Sequence, residues 1–148
     1  MRIVLAAALA VALAGCASSS TDAGSPKPTI NVEQTTRVQS VRNDVSRAVP
    51  VDYSVSITNP LDTPVTLKSL EIETVGLSGS YTMKRVKHAF SEVIPAKGTQ
   101  TLAIRAWVQP LQQDSYGSVV SPVKLRGTAR FDSMGKAIWS MFAESIEQ

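Results

Sequence analysis

Alternation of apolar and polar residues dominates the chain beyond residue 29. Val49, Val51, Tyr53, Val55 and Ile57 alternate with Pro50, Asp52, Ser54, Ser56 and Thr58. Leu102, Ile104, Ala106 and Val108 alternate with Ala103, Arg105, Trp107 and Gln109. Val123, Leu125, Gly127, Ala129 and Phe131 alternate with Lys124, Arg126, Thr128, Arg130 and Asp132. Successive side chains of a strand point to opposite faces, so each run predicts a strand with one buried and one mostly wet face, as in an antiparallel sheet. Val65 and Leu67 keep one phase while Leu70 and Ile72 keep the other, and this one-residue slip predicts a β-bulge near Lys68-Ser69. Ile30 and Val32 predict a first strand, and Tyr81 and Met83 a less regular one. Phe90, Val93 and Ile94 are expected in the core.

The segments between these runs predict turns. Asn59-Pro60-Leu61-Asp62-Thr63-Pro64 is a loop, because proline lacks a donor and turns its neighbour away from helix. Gly76 to Ser80 reads as another turn, and Pro95-Ala96-Lys97-Gly98 as a tight connection into the strand at 101–109. The C-terminus carries two patterns. Ile138, Phe142 and Ile146 have helical spacing, whereas Trp139, Met141 and Ala143 alternate. Ser133-Met134-Gly135-Lys136 can turn the chain back into a hairpin, which favours a final strand, and apolar residues on both its faces can mean burial on both sides. Short strands at this spacing predict an all-β sandwich or barrel.

The N-terminus has a different character. Met1-Arg2 precedes an unbroken apolar run, Ile3 to Leu13, followed by the small residues Ala14 and Gly15. This is the layout of a secretory signal. As a helix the run would reach about 16 Å, too short for a hydrocarbon core of about 30 Å. Leu13-Ala14-Gly15-Cys16 resembles the lipobox of bacterial lipoproteins. The resemblance implies diacylglycerol on the Cys16 sulfur, cleavage just before Cys16, and acylation, often palmitate, of the new amino group. Cys16 is the only cysteine, so no internal disulfide accounts for it. Two or three acyl chains hold a protein stably on a membrane where one does not. Residues 17–29 are small, polar and proline-containing and predict a flexible tether. The expected organisation is a signal peptide over 1–15, a lipidated cysteine and tether over 16–29, and one β domain over 30–148. Lipobox proteins with aspartate after the cysteine stay at the inner membrane of Gram-negative cells. Ala17 at that position implies the outer membrane, should the source be Gram-negative.

Charge and chemistry add little to this picture. The net charge of +3 falls to about +2 without Arg2, which is no nucleic-acid footprint. The basic residues are scattered except for Lys84, Arg85, Lys87 and His88. That cluster could meet anionic headgroups or glycan phosphates, or be a solvated face. Gly76-Leu77-Ser78-Gly79-Ser80 departs from the G-x-S-x-G elbow at Ser80 and lacks its strand–turn–helix context. The only histidine, His88, would also need a positioned nucleophile and an orienting acid. No enzymatic activity is expected. One histidine and no free thiol leave only carboxylates for a metal, so no metal or other cofactor is expected either. Glu71 and Glu73 read as solubilising charges, and Trp107, opposite the Leu102/Ile104 face, as lining a groove or, the favoured reading, as packing over the second sheet.

The segment from Tyr53 to Leu70 resembles the type 2 late-embryogenesis-abundant family, also called the WHy domain. In that family an alternating strand runs into Asn-Pro, a polar loop, and a strand opening near Pro-Val, here Asn59-Pro60 and Pro64-Val65. Ile94-Pro95-Ala96-Lys97-Gly98 matches its later "proline, x, x, glycine" turn, and Val123 to Phe131 its late strand with a central glycine. The resemblance covers about residues 38–131. It implies an immunoglobulin-like antiparallel β-sandwich of the seven-stranded type, without catalytic residues, in a family linked to stress tolerance. The chain departs from that pattern after Asp132. The combined expectation is an envelope lipoprotein that works through structural or protein contacts. The alternative is a lipid- or glycan-binding module using residues 84–88.

Overall fold

The computed structural model describes residues 25–36, 47–77, 79–111 and 121–147. Cys16, the lipobox, most of the tether and Ser78 lie outside the described residues. Eight strands follow in order: β1 (Thr29–Gln34), β2 (Val49–Thr58), β3 (Val65–Thr74), β4 (Tyr81–Thr82), β5 (Val86–Ile94), β6 (Thr99–Pro110), β7 (Val123–Ser133) and β8 (Lys136–Ile146). They form two four-stranded sheets, β1-β2-β6-β4 (sheet A) and β5-β3-β7-β8 (sheet B), and every pairing is antiparallel. β1, β2 and β6 opposite β3, β7 and β8 reproduce the A-B-E and C-F-G frame of an immunoglobulin-like sandwich. The all-β sandwich expected from alternation is therefore the fold observed.

The apolar phase of each run fills the space between the sheets. Val51, Tyr53, Val55 and Ile57 of β2 are fully buried, as are Leu67, Leu70 and Ile72 of β3 and Ala129 and Phe131 of β7. The bulge is present: the register shifts between Leu67 and Ser69, so both halves of β3 point their apolar residues inward. The C-terminal segment is strand, in unbroken register with β7. Its two-residue turn places Met134 at φ 46° and Gly135 at φ 78°, the left-handed pair that matches strand twist in a tight hairpin.

Two expectations about burial are corrected. Val93 is not core. It pairs with Thr66, on the solvent phase of β3, and is 60% exposed, while its neighbour Ile94 is buried. The final strand is not buried on both faces either. Phe142 and Ile146 face inward, whereas Trp139 and Met141 face solvent, because no third layer covers sheet B among the described residues.

Buried polar groups tie the two sheets together. The chain crosses between sheets at the β2–β3 loop and again at the β5–β6 turn, and Asn59 joins these crossings. Its Nδ2 donates to the carbonyls of Thr63 (2.9 Å) and Pro95 (3.0 Å), while its Oδ1 accepts from the Leu61 amide at 3.0 Å. The Asn59 amide itself donates to the Gly98 carbonyl at 2.9 Å. Elsewhere in the interior, Tyr81 donates to Gln34 Oε1 at 2.7 Å and lies 2.8 Å from the Tyr53 hydroxyl. A phenol has one proton, so Tyr53 must donate to Tyr81. Burial raises both phenols, Tyr81 to about 12 and Tyr53 further.

Asn59→Ala would leave the Thr63 and Pro95 carbonyls and the Leu61 amide without this partner. Each orphaned buried group costs about 1–3 kcal/mol, so urea unfolding is expected to show a loss of about 2–4 kcal/mol. Asn59→Asp should not rescue it, since a carboxylate would face carbonyl oxygens. Asp62→Ala removes an exposed ion pair with Lys97 and should stay within about 0.5 kcal/mol of the parent. An Asn59→Ala loss no larger than that of Asp62→Ala would contradict the assignment.

Candidate interaction surface

The outer face of sheet B is built in rows by the strand register. Lys87, Glu71, Thr128 and Met141 lie side by side across all four strands. Glu73, Arg126 and Ala143 form the next row, and Ser69, Arg130 and Trp139 a row on the other side. Opposite charges meet across these rows. Lys87 reaches Glu71 at 3.3 Å, while Glu73 takes Arg85 at 3.0 Å and Arg126 at 2.8 Å. Hydrogen bonds from Arg85 and Arg126 hold the Glu73 carboxyl below its ordinary pKa. Glu71 and Glu73, expected only to solubilise, are the partners of this basic row.

A shallow depression of about 410 Å³ lies beside these charges, its lining including Glu73, Arg85, Arg126, Gly127, Met141 and Phe142. Gly127 has to be bare. A Cβ there would run into the Glu71 carbonyl and the Phe142 ring.

At the β8 edge the face turns apolar. Trp139 is 53% and Met141 85% exposed. A second groove, of about 450 Å³, runs beside this strand, between the chain at Lys27 to Ile30 and residues Trp139 to Glu144.

The basic cluster read from the sequence does not form one patch. Adjacent strand residues face opposite sides, so Lys87 points outward while His88, opposite Leu70, points toward the core. The His88 Nε2 is buried without a hydrogen-bond partner among the described residues, and burial lowers its pKa. Its ring centroid lies 6.3 Å from that of Phe90. Lys84 is exposed, and Arg85 and Lys87 carry the ion pairs above.

Sheet A presents a smaller polar face. Arg105 grips Asp52 with two hydrogen bonds, 2.6 and 3.0 Å, which hold the Asp52 carboxyl below its ordinary pKa. Hydroxyl pairs link Ser56 to Thr101 (3.1 Å) and Thr58 to Thr99 (2.9 Å). Trp107 does not pack over the second sheet. It sits opposite Pro50 on this outer face and is 63% exposed.

Trp139 and Met141 were the residues that sequence reasoning missed as surface. Their alternation marked them as sharing one face, but only the strand order shows that face to be uncovered.

The chain is similar in fold to a solved protein, the X-ray structure of Northeast Structural Genomics Consortium target SoR45. The two share 14% sequence identity at a TM-score of 0.50, over 79% of this chain and 83% of that one. No protein-family model matches the chain, and no curated protein matches it.

His88 makes stability depend on pH. A folded-state pKa below the unfolded value of about 6.5 means that the unfolded chain takes up a proton the fold resists. The stabilisation is therefore complete above about pH 6.5 and declines as pH falls below it. The depressed carboxylates of Asp52 and Glu73 act only lower, near pH 4. Urea midpoints measured from pH 7 to pH 5 should fall in the parent and stay flatter in His88→Gln. Equal slopes in the two proteins would rule this out.

Proposed function

We propose that this chain is an envelope lipoprotein, anchored through Cys16, whose β-sandwich is a non-enzymatic interaction module. The observation that carries the reading is the pair Trp139 and Met141, exposed side by side at the open edge of an otherwise ion-paired face. Aromatic residues and methionine are enriched where proteins meet, and charged residues are depleted there. The Leu13-Ala14-Gly15-Cys16 motif supports the anchor. β1 begins at Thr29, so the intervening chain, even fully extended, keeps the domain within about 45 Å of the bilayer. The likeness to the type 2 late-embryogenesis-abundant family supports a stress-linked role.

The observations favour a protein partner over an anionic lipid or glycan. Arg85 and Lys87 already pair with Glu73 and Glu71, and His88 turns toward the core.

The test uses the full chain expressed in a bacterial envelope. The parent should incorporate labelled palmitate and partition into the detergent phase, whereas Cys16→Ser should carry no label and be released. Crosslinked partners of the parent should fall at least about tenfold in the Trp139→Ala/Met141→Ala double variant. Replacing Lys84, Arg85 and Lys87 by alanine should leave binding to anionic vesicles unchanged. Label retained on Cys16→Ser would overturn the anchor. Unchanged capture by the double variant would overturn the contact surface, and vesicle binding lost with the three cations would favour the anionic ligand.

A further inference from the structure

We infer that β8 is a homodimerisation edge, at which two copies pair antiparallel about a two-fold axis beside Ser140 and join their B sheets into one continuous sheet. The inference deepens the reading of the β8 edge as a contact surface by naming its partner as a second copy of this chain.

The sandwich has four edge strands, and three are protected. β4 has only two residues. β1 is six residues long and carries Glu33. β5 is interrupted by the register shift opposite Leu67/Ser69 and carries Lys87 and Glu92. Short length, charge and bulges are the usual defences of an edge against another strand. β8 is long and without a bulge, and its charges, Lys136 and Glu144, lie toward its ends. It runs for eleven residues in unbroken register, and from Ala137 to Ala143 it contains no charge, proline, glycine or bulge. Among the described residues its only strand partner is β7.

The free groups of that edge can be assigned. A two-residue hairpin loop closes on a hydrogen-bonded pair, here Ser133 and Lys136. Counting by two, the backbone groups of Ile138, Ser140, Phe142 and Glu144 point toward β7. Those of Ala137, Trp139, Met141 and Ala143 point outward, available to another strand.

The strand is complementary to itself in one register. With Ser140 opposite Ser140 of the second copy, Lys136 meets Glu144, Ala137 meets Ala143, Ile138 meets Phe142 and Trp139 meets Met141. Each pair occurs twice, as two-fold symmetry requires. Every opposition is chemically matched, with a cation on an anion, apolar on apolar, and the thioether beside the indole. A centre at Met141 instead would set Lys136 against Ile146, Glu144 against Ile138 and Ser140 against Phe142. The Ser140 register also answers an independent observation. The Ser140 hydroxyl is buried and has no hydrogen-bond partner among the described residues, and at the axis it would face its own copy.

The test uses the full chain carrying Cys16→Ser, in mild detergent, so that no lipid holds copies together. Sedimentation should show a concentration-dependent dimer. Met141→Lys should sediment as a monomer and unfold in urea at the midpoint the parent shows when dilute enough to be monomeric, because that side chain is 85% exposed and only the dimer adds stability. In the same background, Ser140→Cys should oxidise to a disulfide-linked dimer, since directly opposed non-hydrogen-bonded residues bring their Cα atoms to about 4.5 Å, within disulfide range. Met141→Cys should crosslink several-fold less. A monomer at every concentration, whether the edge is free, covered by residues 1–24 or taken by a foreign protein, would overturn the inference. It would leave the palmitate label and partner capture of the proposed function standing. A dimer that crosslinks best through Met141→Cys would overturn the register.

Discussion

The buried carboxamide of Asn59 holds together two of the places where the chain passes from one sheet to the other, the β2–β3 loop and the β5–β6 turn. Its nitrogen faces the carbonyls of Thr63, Pro95 and, at 3.4 Å, Ile94, while its oxygen receives the Leu61 amide. That arrangement needs donors on one side and an acceptor on the other, which a carboxamide supplies and a carboxylate does not. Pairing spreads outward from this point. Thr58 faces Thr99 where β2 and β6 leave the crossings, and Val65 faces Ile94 where β3 and β5 do. The Lys97 amide, which donates to the Leu61 carbonyl at 3.0 Å, and the Lys97 Nζ, which reaches the Pro60 carbonyl at 2.7 Å, close the same end from outside. The Asn-Pro and proline–glycine segments on which the family resemblance rests are thus two halves of one junction.

With that end fixed and the core filled, the outward faces are left to other tasks. On sheet B, three strands spend their outer positions on ion pairs among Glu71, Glu73, Lys87, Arg85 and Arg126. Such exposed pairs add little stability, but they leave little unbalanced charge to draw an anion. The fourth strand carries tryptophan and methionine instead. The contrast within one face makes the β8 edge stand out as the place where another chain belongs.

Much of this was legible in the sequence. Alternation identified β2, β6 and β7, the phase slip located the bulge, and Gly135 marked the final hairpin. What it could not supply was neighbourhood. Alternation separates the two faces of a strand, but whether a face is covered depends on pairings between distant segments. Trp107, Trp139 and Met141 therefore proved exposed where burial was expected. Val93 was misplaced for a simpler reason, since it follows an apolar run but falls on the odd phase of β5. His88 could have been separated from Lys87 by the same period-two argument. Composition drew the cluster together, and the strand divides it.

The central claim is that the Asn59 junction is part of the cooperative core and not a surface loop latch. Native-state hydrogen exchange of the Asn59, Leu61 and Lys97 amides tests this most directly, since each donates within the junction. They should exchange only through global unfolding, with the same free energy and denaturant dependence as the Val55 and Leu70 amides of the central strands. Exchange of the junction amides by local opening, at markedly lower free energy and without denaturant dependence, would contradict the account.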